Sequence, residues 1–139
     1  MSEDHAATMR LFYERVNAHD VDGFMDLLAE DFTEHDEFPG LEPTREGVRH
    51  FFEAMLTAFP DLRFDAEDVF AAGDRGVARM RTTGTHRGEF MGIPPTGRRI
   101  DVQAIDIVRF GPDGKAVEHW GVSDSLTMMQ QLGVVPEPG

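Results

Sequence analysis

The spacing of apolar residues changes at Asp61, and this change constrains the fold more than any other feature of the chain. Before it, apolar side chains recur every three or four positions, as at Val48, Phe51 and Phe52, which is typical of a helix with one buried face. After it, the period drops to two, which is typical of strands. Helices followed by a run of strands predict an α+β fold, with the helices packed on one face of a curved, mostly antiparallel sheet.

Capping residues and breakers set the predicted bounds of the elements. Asp20, Thr44 and Asp124 can each accept a hydrogen bond from the first turn of a helix, and Gly133 can end the last one. We predict helices over about 4–18, 20–28, 44–59 and 124–132, a short strand or extended loop over 32–38, and strands over 62–70, 77–86, 99–110 and 116–123. Residues 1–139 are expected to form one domain, with 134–139 as a frayed tail.

Arginines indicate which side of each strand faces inward. Arg79 and Arg81 share one face of their strand, and an unpaired arginine is costly to bury. The opposite face of that strand, which carries Met80 and His86, is therefore predicted to point into the protein.

The same argument applies to the last two strands. Arg109 marks the outer face of the long strand, which turns Asp106 inward. On the final strand an outward Glu118 puts His119 inside and Trp120 outside. Asp106, His119 and His86 are thus expected on one concave surface, above a hollow with this predicted lining: His35, Tyr13, Phe52, Met80, Ala104, Val108, Met91 and Ile93.

The charge balance argues against polyanionic partners. The chain has 26 acidic and 13 basic residues, for a formal net charge of −13. Such a chain repels nucleic acid and anionic membranes. It contains no cysteine, and no apolar run is long enough to span a bilayer. With no signal-peptide pattern at the N-terminus, a cytoplasmic location is expected.

The run Glu34-His35-Asp36-Glu37 resembles a metal site only superficially. Consecutive strand residues alternate in direction, so either His35 and Glu37 or Glu34 and Asp36 converge. Metal-site spacing is absent around them, and acidic runs are usually solvated. We therefore predict no metal here, and keep His35 as a residue that can face the hollow.

Several phrases of the sequence resemble those of one known family. They are GTHRGEFMGIPPTGRRI at 84–100, D-x-x-R-F from Asp106, a D-G-K turn, and E-H-W-x-x-x-D from Glu118. LFYERVNAHD and DLLAEDF near the N-terminus fit the same pattern. The chain is similar over essentially its whole length to the SnoaL-like polyketide and ester cyclases of the nuclear transport factor 2-like superfamily.

The resemblance implies a cone-shaped α+β fold and a chemistry without metal or organic cofactor. The family's cyclases close a ring by intramolecular aldol condensation, with a pocket aspartate as acid and base. Asp106 is the best match for that aspartate, and the family's histidine corresponds to His86 or His119. The implied substrate is a hydrophobic carbonyl compound, and the exposed sheet face around Trp120 favours a homodimer.

One carboxyl group can both remove and return a proton if its pKa lies near neutrality, which burial favours. A structural Asp106–His119 pair without catalysis is the alternative for these residues. An isomerase would need Tyr13, the only tyrosine, to reach Asp106. A hydrolase of this fold would need an inward arginine, which Arg79 and Arg81 do not supply. A dimeric, non-enzymatic module that binds an apolar ligand is the remaining alternative.

Overall fold

The computed structural model describes residues 2–136, with the backbone alone for Ser2 and Glu3. Of the predicted tail, residues 137–139 lie outside the described residues. The helices are α1 (Ser2–Asn17), α2 (Val21–Met25), α3 (Arg45–Ala58) and α4 (Ser125–Gln131). The strands are β1 (Leu28–Glu34), β2 (Arg63–Ala72), β3 (Arg75–Thr85), β4 (Arg99–Phe110) and β5 (Ala116–Ser123).

The five strands form one curved sheet in the order β1-β5-β4-β3-β2. Neighbours are antiparallel except β1 and β5, which run parallel. In this register Asp106, in the middle of β4, lies between Ala78 of β3 and Gly121 of β5. The α+β arrangement expected from the sequence is confirmed.

The predicted helix caps are present. Asp20, Thr44 and Asp124 each accept a hydrogen bond from the backbone N–H three residues further on, which satisfies a donor that the helix itself leaves unpaired. Gly133, after α4, has a φ of +80°, a left-handed conformation that glycine adopts without steric cost.

The boundary between α2 and β1 differs from the prediction. The second helix was expected to include Leu28, but it ends at Met25 and Leu28 begins β1. Leu28 is aligned with Ala116 of β5, and the Ala116 N–H bonds to the Leu27 carbonyl. The strand also ends at Glu34 rather than near Phe38. Both bounds follow from partners distant in sequence, which local periodicity does not report.

The predicted directions of the strand side chains agree with the burial. The inner face of β3 and β4 is buried, and it carries Ala78, Met80, Ile100, Val102, Ala104, Val108 and Phe110. On the outer face Arg79, Arg81 and Arg109 pair with carboxylates. The helices α1 and α3 cover the inner face. Among the described residues, no helix combines the length and hydropathy that crossing a bilayer requires.

Candidate active site

A cavity of about 140 Å³ lies between the helices and the inner face of the sheet. Most of its lining is aromatic or aliphatic, including Phe12, Phe24, Phe32, Phe52, Met55, Phe64, Met80 and Val108. Its ionisable side chains form one group, here called the polar cluster: Tyr13, Glu34, Asp36, Asp106 and His119. A cavity of roughly 150 Å³ is known to hold benzene. The space therefore suits the reacting ring of a small molecule.

Asp106 is at the centre of the polar cluster. Its side chain is 16% exposed, and its cross-strand neighbours Ala78 and Gly121 are too small to cover it. The Tyr13 hydroxyl of α1 donates to Oδ2 at 2.8 Å, and Nε2 of His119 lies 2.8 Å from Oδ1. Because each carboxylate oxygen can accept two hydrogen bonds, capacity remains for a substrate.

His119 lies between two carboxylates. Its Nδ1 is 2.5 Å from Oε2 of Glu34, on the side opposite Asp106. Burial alone would lower the pKa of His119, but its hydrogen bonds to Asp106 and Glu34 and the charges of those groups outweigh burial and raise the pKa to about 10. His119 is therefore an imidazolium at neutral pH, and both ring N–H groups donate.

Tyr13 is held as a neutral phenol. Its burial, the negative charge of Asp106 and the hydrogen bond to Asp106 all raise its pKa. The hydroxyl thus remains a proton-bearing donor at any pH at which the protein would function.

Glu34 and Asp36 are the site residues that the sequence analysis missed. Glu34 is 6% exposed and aligned with His119 across the parallel strand pair. The alternation of strand residues does place Glu34 and Asp36 on the same side of the chain. The sequence analysis assigned that side to solvent because acidic runs are usually solvated. No three His, Asp or Glu groups in the described part of the chain are arranged to hold a metal ion.

Five of the predicted lining residues do line the cavity: Tyr13, Phe52, Met80, Ala104 and Val108. The predicted position of His35 needs correction, because Glu34 takes the inward place on β1. His35 lies outside instead, where its ring stacks on Trp120 with centroids 4.9 Å apart and its Nε2 is 2.8 Å from Glu118.

The prediction that the loop between β3 and β4 helps to line the cavity also needs correction. Met91 is 47% exposed and has a φ of +52°, and Phe90 and Ile93 exchange backbone hydrogen bonds around it. This tight turn folds Phe90 onto the core and leaves Met91 and Ile93 outside the lining. The conformation of this loop is therefore set by hydrogen bonds within its own backbone, and not by contacts with the cavity.

His86 is separated from the polar cluster. It faces inward as predicted and is fully buried, but it does not line the cavity. Its Nδ1 accepts a hydrogen bond from the Thr96 N–H at 3.2 Å, and its ring packs beside Phe59 and Phe90. The geometry therefore corrects its assignment as a catalytic candidate, because in this position it ties down the loop backbone.

Comparison with known proteins gives one family and a consistent set of structures. Residues 7–132 match the family model described as SnoaL-like polyketide cyclase. AclR of Streptomyces galilaeus, a hydroxylase candidate, is 31% identical with a TM-score of 0.90, over 100% of this chain and 87% of AclR. IdmH of Streptomyces antibioticus, a polyketide cyclase candidate, is 35% identical with a TM-score of 0.79, over 94% of this chain and 99% of IdmH. A search of curated proteins found no match.

Proposed function

Because the chain belongs to the SnoaL-like polyketide cyclase family, we propose that it is an acid/base enzyme that works without a cofactor on a hydrophobic carbonyl compound. The proposed reaction is ring closure by intramolecular aldol condensation. The observation that carries the proposal is Asp106, which lies in a mostly apolar cavity with a hydrogen-bond donor on each of its oxygens.

Asp106 acts as the base. Its carboxylate takes a proton from the carbon next to a substrate carbonyl, and the resulting enolate carbon attacks the second carbonyl. The new carbon–carbon bond moves the carbonyl electrons onto oxygen, which must then be protonated. His119 and Tyr13 hold the carboxylate in place, because each donates to one of its oxygens.

The rest of the cavity orients the substrate. Phe52, Phe64 and Met80 supply apolar surface around the carboxylate, and such surface binds the hydrocarbon part of a ligand while a few polar groups select its orientation. Holding the two reacting carbons together lowers the entropic part of the barrier.

The function is tested with Asp106→Asn and a linear diketone probe whose carbonyl carbons are separated by three methylene groups. We expect deuterium exchange next to the carbonyls and ring closure to fall by roughly 10²–10⁴-fold, while circular dichroism stays unchanged. The matched control is Asp101→Asn on the outer face of the same strand, which should retain activity. An Asp106→Asn variant with full activity would contradict the base role; tight binding of the probe to both forms without turnover would favour the binding module.

One contact favours a second function, isomerisation of an unsaturated ketone. The Tyr13 hydroxyl reaches Asp106 at 2.8 Å, and a tyrosine beside an aspartic acid serves as the oxyanion site of ketosteroid isomerase. With a β,γ-unsaturated ketone as probe, this function predicts that Tyr13→Phe slows the isomerisation of that ketone. The loss should be at least as large as the loss in ring closure of the diketone in the same variant. Undetectable isomerisation by the unaltered protein would exclude it.

We also propose that the protein is a homodimer through the outer face of its sheet. Ile105 and Val122 are direct cross-strand neighbours on that face, and they are 46% and 74% exposed. Trp120 follows on the same face, two residues from Val122 and opposite Ile107. Exposed apolar surface of this kind marks interfaces.

A further inference from the structure

We propose that Asp36 is a second catalytic residue of this site, which donates the proton that neutralises the alkoxide oxygen formed on ring closure. The inference rests on the proposed function and deepens it, since it divides between two carboxyl groups the work that the family resemblance assigns to one.

The position of Asp36 suits a group that contacts the substrate. It follows the end of β1 and lines the cavity on the side of β5. Its Oδ1 accepts a hydrogen bond from the Phe38 N–H at 3.0 Å, which orients the carboxyl group. Half-buried rather than enclosed, it can contact both the substrate and solvent.

Gly121 allows Asp36 to approach the rest of the polar cluster. A Cβ atom at Gly121 would lie 2.7 Å from Oδ2 of Asp36 and 2.8 Å from Cε1 of His119. Any other residue would thus push these side chains apart. Gly121 is also the cross-strand neighbour of Asp106. Asp36, His119 and Asp106 therefore converge at one glycine, and the missing side chain of Gly121 is what lets them approach each other.

The charges around Asp36 favour a proton donor. Burial raises its pKa, and this outweighs the opposing effect of the Phe38 N–H and of the positive His119; the carboxylates Glu34 and Asp106 raise it further. Asp36 can hold a proton at a pH at which an exposed aspartate has lost it.

The proton balance closes without another reactant. Asp106 gains the proton from carbon, the new carbon–carbon bond forms, and Asp36 gives its proton to the oxygen. The enzyme is then left with a protonated Asp106 and an ionised Asp36. Exchange with solvent, in which Asp106 releases its proton and Asp36 takes one up, restores the starting state.

Two measurements with the same diketone probe, deuterium exchange and ring closure, distinguish the role of Asp36 from that of Asp106. Deuterium exchange next to the carbonyl needs only the base, whereas ring closure needs both base and acid. In Asp36→Asn we expect exchange within about twofold of the unaltered protein and ring closure slower by roughly 10²-fold. Glu37→Gln, the neighbouring exposed carboxylate, is the matched control and should change neither signal.

The outcomes distinguish this inference from the proposed function. Ring closure at the normal rate in Asp36→Asn overturns the role of Asp36 and leaves Asp106 as the only acid and base. Loss of both signals in Asp36→Asn with an intact circular dichroism spectrum also overturns it, because Asp36 would then support the base. Absence of exchange in the unaltered protein overturns the proposed function itself. If Asp36→Asn misfolds, carbon NMR of the unaltered protein decides, since the inference requires the pKa of the Asp36 carboxyl to lie above the ordinary range of an aspartate.

Discussion

At the scale of single residues, the site depends on a positive charge between two negative ones. The His119 imidazolium donates to Glu34 and to Asp106, so the three groups together carry one net negative charge. Glu34, whose side chain is 5% exposed, is acceptable in the interior only because this partner is present. The same ion pairing keeps the imidazole ring oriented toward Asp106.

Removing His119 should destabilise the protein in a pH-dependent way. The pKa of His119 is about 10 in the folded protein against an ordinary 6.5. Because the pKa of His119 is higher in the folded protein, protonation of His119 stabilises the fold. This stabilisation is complete below pH 6.5 and is lost as the pH rises through about 10. His119→Gln should therefore lower the free energy of unfolding by about 3–5 kcal/mol near neutral pH, and by progressively less toward pH 10.

Urea unfolding at a series of pH values measures this difference. The exposed His50→Gln serves as the control and should follow the unaltered protein throughout. A deficit in His119→Gln that stays constant across the range would show that His119 is not charged in the folded state.

Glu34 should control the charge state of His119. Replacing Glu34 with Gln removes one of the two carboxylates that raise the pKa of His119, so that pKa should fall from about 10 toward its ordinary range. NMR titration of the imidazole ring measures it. The control is Glu118→Gln, which changes the outward carboxylate just before His119 on β5 and should leave the His119 titration unaltered. Equal His119 titration curves for Glu34→Gln and the unaltered protein would contradict the effect of Glu34 on His119.

At the scale of elements, the parallel pairing of β1 with β5 builds the polar cluster. This pairing aligns Glu34 with His119. The antiparallel pairing of β5 with β4 puts His119 next to Val108, two residues from Asp106 on the same face of β4. Residues from three strands are thereby placed within hydrogen-bond distance, although they are far apart in the chain. The helix α1 adds Tyr13 from above the sheet.

The helix α3 should depend on its cap. Thr44 accepts a hydrogen bond from the Gly47 N–H at 3.1 Å, so Thr44→Ala should lower the free energy of unfolding by about 1 kcal/mol. Thr57→Ala, near the exposed end of the same helix, makes the same chemical change without removing a cap, and should be close to neutral. Thermal or urea unfolding compares the two, and equal losses would argue against the cap as the cause.

At the scale of the whole molecule, the two faces of the sheet differ in the residues that they carry. The inner face holds the cavity, and the outer face combines ion pairs with exposed apolar residues. Because the outer face carries both signs of charge as well as apolar surface, a second copy of the chain would present a complementary surface. Dimerisation would leave the cavity side of each sheet free for the substrate.

We expect the double variant Ile105→Lys and Val122→Lys to be monomeric. Its new charges would be placed opposite each other at the centre of the proposed interface, where unpaired charge is costly. Light scattering after size exclusion measures the mass. Leu126→Lys, an equally exposed apolar position on α4, should remain dimeric, and an unaltered protein of monomer mass would contradict the proposed interface.

Many features of this fold depend on residues that are close together in the sequence. Helix caps such as Thr44, the arginines that mark the outer face and the alternation that turns Asp106 and His119 inward depend on short-range geometry and on the cost of burying charge, so sequence alone located them correctly. The bounds of β1, the inward place of Glu34 and the separation of His86 from the cavity depend on which strand pairs with which. Strand pairing joins residues far apart in the sequence and is selected by the packing of the whole sheet, and for that reason only the tertiary structure decided them.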